Sequence, residues 1–380
     1  MKEKILEFLK KEVVFEIAFI LALASSIFLA TQKIQIDVLH AIDWRVLAIL
    51  LSLMLVVAGF QKIGFFTWCA NIFCRRLSNL RSLSLVLILL CFFSSMLITN
   101  DVALITFVPF ALMIINSTGN LDRAAYIIVL QTIAANLGSM LTPLGNPQNL
   151  FLFSKMNLPL GNFILILLPY TFLSLILLFA SIFFIPKRNL PRNIISSSNR
   201  NRDIKGAILF PILFVLCILC VLNIVPYWIV LPVVFAATAI HSAPLLLKAD
   251  YMLLLTFCGF FIFTHNIAQI PEIKTALQNA VAGHDFWISL VASQVISNVP
   301  ATLLLYPFSQ NTKDLLLGVD IGGLGTLIAS LASLISFKIY TNSSKSDKSS
   351  LAKYLGLFTL MNVLFLIAEI ALFLLLKIKK

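Results

Sequence analysis

The chain has 380 residues, of which 60% are hydrophobic and only 12% charged, and its formal net charge is +12. Soluble globular domains carry nearer a quarter charged residues, and here apolar runs of helix-spanning length recur from end to end, which excludes an ordinary soluble protein. The basic residues sit in short loops between those runs, so they point to topology control rather than to nucleic acid.

Backbone groups in lipid must be satisfied internally, which leaves helices or a closed barrel. Runs this long are helical, because barrel strands alternate over about ten residues. In chain order they predict an all-α polytopic membrane protein with about nine spans. These lie near 13–30, 44–60, 124–153 (interrupted), 162–185, 206–225, 229–247, 252–266, 315–338 (interrupted) and 355–376. Two hairpins, 83–115 and 286–308, have arms of about ten to fourteen apolar residues, short for a hydrocarbon core about 30 Å thick and suited to re-entrant segments. Val13–Ala30, after the lysines of the first eleven residues, reads as an uncleaved first span rather than a signal peptide. Cys217 and Cys220 lie inside the apolar run Ile208–Val225 and read as helix packing, since no second Cys or His pair has zinc spacing.

Charge tests this layout. With the N-terminus inside, the inner side holds 20 of the 28 basic residues, among them Lys2, Lys4, Lys10, Lys11, Arg75, Arg76, Arg123, Arg188, Arg192, Arg200, Arg202 and Lys345. The outer side holds 8, including Lys33, Lys155 and the C-terminal Lys377, Lys379 and Lys380. The positive-inside rule is obeyed with the C-terminus outside. Trp44, Trp228 and Trp287 fall at span edges, where aromatic belts form. The expected organisation is a first repeat at 1–185, a linker and connecting span at 186–228, and a second, inverted repeat at 229–380.

The repeat is legible directly. Residues Ser95–Phe110 align with Ser293–Phe308 at a constant offset of 198, with Ser95/Ser293, Ile98/Ile296, Asn100/Asn298, Ala103/Ala301, Pro109/Pro307 and Phe110/Phe308 identical. Thr99 matches Ser297, a hydroxyl for a hydroxyl, so each hairpin tip carries a hydroxyl and an Asn inside an apolar run. The first interrupted span contains Gly138, Thr142, Pro143, Gly145, Asn146, Pro147 and Asn149. Proline and glycine at this density break a helix, and broken backbone at membrane depth survives where it lines a cavity. At an offset of 184, Asn136 meets Asp320, Gly138 meets Gly322 and Thr142 meets Thr326 in Gly318–Ser330. Paired breaks of this kind supply helix N-termini to an anion and unwound carbonyls with Asn and Ser/Thr oxygens to a hard cation.

These motifs resemble the ion transporter superfamily, which groups divalent anion/sodium symporters, citrate permeases, arsenite permeases and one class of sodium/proton antiporters. The resemblance rests on the repeated Ser/Thr-Asn tip and on the Gly138-to-Asn149 break, and it covers roughly 83–153 and 286–330. It implies an inverted-repeat transporter with two re-entrant hairpins and two interrupted helices. In the dicarboxylate symporters the tips read Ser-Asn-Thr, bind sodium and touch substrate carboxylates. Thr99-Asn100-Asp101 and Ser297-Asn298-Val299 lack the third-position Thr, and with Gly318–Ser330 they look more like the arsenite-permease branch.

The expected substrate- and ion-binding residues are therefore Thr99, Asn100, Asp101, Gly138, Thr142, Gly145, Asn146, Asn149, Ser297, Asn298, Asp320, Gly322 and Thr326, with sodium at Asn100, Asp101 and Asn298. An Asp at membrane depth is costly and a functional candidate by default. Asp101 and Asp320, read as carboxylates at helix N-termini, favour coupling to a cation or proton. Against this, Asn100 and Asn298 suit a helix N-cap, and Asn146 and Asn149 suit a turn. Glu16 and Glu369 read as snorkelling or interhelical groups, His265 as interfacial, and Glu272 as part of a surface helix.

The leading function is secondary active transport of a small anion, an inorganic oxyanion or a carboxylate, coupled to sodium or protons. A sodium/proton antiporter and a passive channel are the alternatives. An intramembrane enzyme would need a constellation such as HExxH, which is absent, and no ATP-binding Walker motif is present. The expected partners are the anion, sodium or protons, the lipid bilayer of a prokaryotic cytoplasmic membrane and a second copy of the chain. No nucleic acid and no cofactor beyond a possible sodium ion are expected.

Overall fold

A computed structural model describes residues 13–32, 37–74, 77–190, 203–343 and 348–378. Of the basic residues named above, Lys2, Lys4, Lys10, Lys11, Lys33, Arg75, Arg76, Arg192, Arg200, Arg202, Lys345, Lys379 and Lys380 lie outside the described residues, as do residues 191–202 of the expected linker. The described chain is helical throughout, with no named strand. Eight helices among the described residues are long and apolar enough to cross a membrane.

The helices are α1 Val13–Thr31, α2 Val38–Ala41, α3 Trp44–Lys62, α4 Phe65–Cys74, α5 Leu80–Ser95, α6 Asn100–Ser117, α7 Ala124–Ser139, α8 Pro147–Met156 and α9 Leu160–Ile182. They continue as α10 Ile204–Val221, α11 Tyr227–Ser242, α12 Tyr251–Ala268, α13 Pro271–Val281, α14 Asp285–Ile296, α15 Asn298–Leu305, α16 Thr312–Ile321, α17 Leu331–Ser343 and α18 Lys348–Ile378. The expected continuous spans appear as α1, α3, α9, α10, α11, α12 and α18. Each interrupted span appears as a pair of short helices, α7 with α8 and α16 with α17. The first hairpin corrects its expectation: its arms, α5 and α6, have 16 and 18 residues, so α6 is itself of spanning length. The second hairpin keeps short arms of 12 and 8 residues, α14 and α15.

The chain forms two compact units. One comprises residues 1–58 and 212–319. Within it α1 packs along α12, and Asn266 donates to Ser25 and Ser26 at 3.1 and 2.9 Å. The α14–α15 hairpin packs on α12, and the exposed, Glu272-bearing α13 follows α12. Asp285 sits at the foot of the hairpin and accepts Ser309 Oγ at 2.5 Å and the Gln310 N–H at 3.1 Å.

The other unit comprises residues 59–211 and 320–380. Its axis is α7, which packs on α5, α6, α9, α17 and α18. Every residue of α7 except Tyr126 is buried, as expected for a helix apolar on all sides. At one loop layer Arg188 donates to Asp122 through its two terminal guanidinium nitrogens, at 2.8 and 2.9 Å, and to Asn120 at 3.2 Å.

Close packing repeats in each hairpin. A Cβ on Gly138 would overlap the Phe92 carbonyl and Ser95 Oγ; a Cβ on Gly318 would overlap the Phe286 carbonyl and Ser289 Oγ. In both copies a Phe-x-x-Ser step on the first arm receives a glycine from the following interrupted helix. The second copy makes this contact one helical turn earlier than the 198- and 184-residue offsets would place it.

Candidate functional site

The two hairpin tips share one local device. Asn100 Oδ1 accepts the N–H of Asp101 at 3.0 Å, and Asn298 Oδ1 accepts the N–H of Val299 at 2.9 Å. Each Asn opens a helix and is buried. The residues before them differ. Thr99 has φ −36°, whereas Ser297 has φ +73° and ψ 155°, a region almost reserved for glycine.

In the second unit the first tip is tied to the first break. The N–H of Asn100 donates to the Gly145 carbonyl at 3.0 Å, and Thr142 Oγ1 donates to the Met96 carbonyl. Gly145 lies so close to Ser139 that a Cβ would overlap its backbone. Asn146 is the N-cap of α8 and accepts the N–H of Asn149 at 2.9 Å, with Pro147 in the first helical position, where a missing N–H costs nothing. Asn149 Nδ2 donates to the Met140 carbonyl at 2.8 Å, closing the loop on itself.

The second break joins the same core. Asn136 Oδ1 accepts Asn100 Nδ2 and Ser330 Oγ, each at 3.0 Å, and Asn136 Nδ2 donates to Ser333 Oγ at 3.2 Å. Its repeat partner Asp320, 4% exposed, accepts Asn146 Nδ2 and Gln148 Nε2 on Oδ1, both at 3.4 Å. Both interrupted helices and one hairpin tip thus contribute to one buried polar core within a single unit.

Of the expected site residues, Asn100, Thr142, Gly145, Asn146, Asn149 and Asp320 are joined by these bonds. Gly138 acts at the helix contact with Phe92, and Gly322 is buried in the second break. Thr99 and Asp101 are partly exposed at the tip, and Thr326 is exposed. Ser297 and Asn298 belong to the other unit. The reading of Asp320 as an N-terminal carboxylate is corrected: it is the next-to-last residue of α16, at the helix's negative end. Gln148, Ser139, Ser330 and Ser333 escaped the sequence reading. Gln148 sits between the flagged Pro147 and Asn149 and could have been found there. Glu369, read as near a span end, is fully buried and accepts Ser174 Oγ at 2.6 Å, so it is interhelical rather than snorkelling.

Among the described residues no three His, Cys, Asp or Glu side chains converge as a metal cluster. A groove of about 640 Å³ lined by Arg123, Tyr126, Leu177, Ser181, Met361 and Phe365 touches none of the polar core. Outside the spans, the Arg188 guanidinium holds the Asp122 carboxyl below its usual range.

Spanning helices broken around a buried polar core define an integral membrane transporter. The citrate transporter family model matches residues 5–333, and the chain belongs to that family. It is 30% identical over 343 residues to the Uncharacterized transporter MJ0456 of Methanocaldococcus jannaschii, covering 89% of this chain and 92% of that one. It is 31% identical over 310 residues to the Inner membrane protein YbiR of Escherichia coli, covering 79% and 80%. It is also 29% identical over 133 residues to the Silicon efflux transporter LSI3 of rice, covering 35% and 27%.

Proposed function

We propose that the chain is a secondary active transporter that moves a small anion, an inorganic oxyanion or a carboxylate such as citrate, by alternating access, with sodium or protons as coupling ion. The observation that carries this reading is the buried core in which the tip residue Asn100 and both broken helices meet. Broken helices offer unpaired backbone groups that no continuous helix has, and such groups bind substrate and ions without a large conformational cost. The family name supports a carboxylate, and the buried Asp320 supports cation coupling. In the same proposal 1–185 and 229–380 are repeats of opposite membrane orientation, the N-terminus lies inside and the C-terminus outside. The membrane is the prokaryotic cytoplasmic membrane, and two copies pair as a homodimer.

The test is uptake into proteoliposomes with citrate, arsenite and phosphate, each with an inward sodium or proton gradient. Concentrative uptake that collapses with the matching ionophore supports the carrier. Conductive flux that needs no gradient would replace it with a channel. Sodium/proton exchange without anion movement would replace it with the antiporter, the second reading that Asp320 favours.

A further inference from the structure

The groove of about 640 Å³ beside α7 is separate from the polar core and takes no part in the proposed transport. It lies wholly within the second unit, between the start of α7, the last turns of α9 and two turns of α18. Glu369 and Ser174 join α18 to α9 through the 2.6 Å bond. From that bond Leu177 and Ser181 follow along α9, while Phe365 and Leu357 precede along α18, so the two helices run antiparallel down the groove. Tyr126 donates to the Ser181 carbonyl at 2.9 Å, which pins the start of α7 at the groove's far end. The walls there are apolar and open: Phe184, Leu360 and Leu364 are all exposed.

The far end is basic. Arg123 lines it, and its buried Nε has no hydrogen-bond partner among the described residues. It approaches only Asp122, at 3.3 Å. That carboxylate already accepts Arg188 at 2.8 and 2.9 Å, so two guanidiniums share one acid and the cluster keeps a net positive charge. Lys187 is exposed three residues past Phe184. Lys353 is exposed on α18 and, at helical spacing, shares a face with Leu357, Leu360 and Leu364.

We propose that this groove holds an anionic phospholipid, with an acyl chain along α9 and α18 and the phosphate at Arg123 and Lys353. An apolar channel with cations at one end matches the two parts of such a lipid, and basic pockets between membrane helices hold lipid head groups in this way. The planar guanidinium fork suits phosphate oxygens, and Arg123 has no hydrogen bond to give up. A soluble anion would leave the apolar walls unused, and an uncharged lipid would leave the net positive charge unanswered. The volume falls in the range of roughly 300–1,000 Å³ typical of ligand pockets. In the orientation proposed above, the basic end faces the cytoplasmic leaflet, whose surface is negative.

The experiment melts the purified full chain in a neutral detergent at fixed ionic strength, with rising amounts of phosphatidylglycerol, phosphatidylcholine or glycerol 3-phosphate. A ligand that binds the folded state raises Tm with a saturating dependence on its concentration. Phosphatidylglycerol is expected to raise Tm in this way, phosphatidylcholine to raise it less, and glycerol 3-phosphate to leave it unchanged. Arg123→Gln removes one basic group from the head-group end and is expected to raise the half-saturating amount of phosphatidylglycerol about fivefold. Ala180→Trp fills an exposed position of the lining and is expected to weaken the response as well. Lys62→Gln, at the exposed end of α3 and outside the lining, is expected to retain the wild-type response. If Arg123→Gln does not fold, the Ala180→Trp titration decides alone. An equal response to both lipids, an unchanged phosphatidylglycerol response in Arg123→Gln or Ala180→Trp, or an equal response to glycerol 3-phosphate would overturn the lipid site. None of these readouts uses transport, so the groove stands or falls apart from the transporter reading.

Discussion

Asn100 Nδ2 donates to Asn136 Oδ1 at 3.0 Å, so the first hairpin tip is bonded to the interrupted helix that follows it. The same Asn136 oxygen accepts Ser330 from the second break. Asn136→Ala strands three buried polar partners at once. It is expected to cost about 2 kcal/mol or more of stability and to abolish transport. Asn136→Asp would place a second acid in the core and should fail differently, with a Tm that depends on cation. Thermal unfolding and proteoliposome uptake of both variants check this.

The glycine contacts predict a matched pair of stability defects. Gly138→Ala drives a methyl into the Phe92 carbonyl, and Gly318→Ala drives one into the Phe286 carbonyl. Neither backbone can yield easily, so each is expected to cost about 1–3 kcal/mol. Gly356→Ala, in α18 with open space around its Cα, is expected to be neutral or slightly stabilising, because Ala is the better helix former. Tm values for the three variants under one detergent condition are sufficient, and a Gly138→Ala protein as stable as wild type would refute the packing argument.

Ser297 predicts a trade of stability against activity. Its backbone, at φ +73°, stores roughly 1–3 kcal/mol of strain. Glycine removes that strain but adds unfolded-state freedom worth roughly 0.5–1 kcal/mol. Ser297→Gly is therefore expected to raise stability by about 1 kcal/mol while losing the tip hydroxyl and slowing transport. A stability measurement in denaturant together with an uptake rate reads both arms.

Ser174 and Glu369 predict a buried, interhelical polar contact. Ser174→Ala leaves both carboxyl oxygens of a fully buried Glu369 without donors and is expected to cost about 1–3 kcal/mol. Glu369→Gln keeps an oxygen that accepts the Ser174 hydroxyl and is expected to cost less. The order of the two Tm values is the readout.

The loop pair Asp122 and Arg188 predicts the sign of one pH effect. Asp122 is held below its ordinary value of 3.8 by the Arg188 hydrogen bonds. Its stabilising effect is therefore complete above that value and is lost as pH falls through the lower, folded-state value. Because the pair is largely exposed, the effect is small at neutral pH. Wild type and Asp122→Asn should differ slightly in Tm at pH 7 and converge below about pH 3.8. A difference that grows on acidification would reverse the assignment.

Local chemistry was enough to read the membrane class, the run of continuous spans, the short arms of the second hairpin and both breaks from the sequence, but not the full length of α6. Apolar length identifies a span whatever surrounds it. A proline or glycine cluster stops a helix through its own backbone: α7 ends at Ser139 and α8 begins at Pro147, inside the stretch whose prolines and glycines forbid a helix. Asn100 and Asn298 begin helices for equally local reasons. What the tertiary structure decided is which polar groups share a partner. Asp320 meets Gln148 across 172 residues, Asn136 meets Ser330 across 194, and Ser174 meets Glu369 across 195. No period or spacing encodes such separations, because they depend on how whole helices pack. An unpartnered oxygen on Asp320 exists only once distant segments have closed around it, so it could be found only in the folded chain.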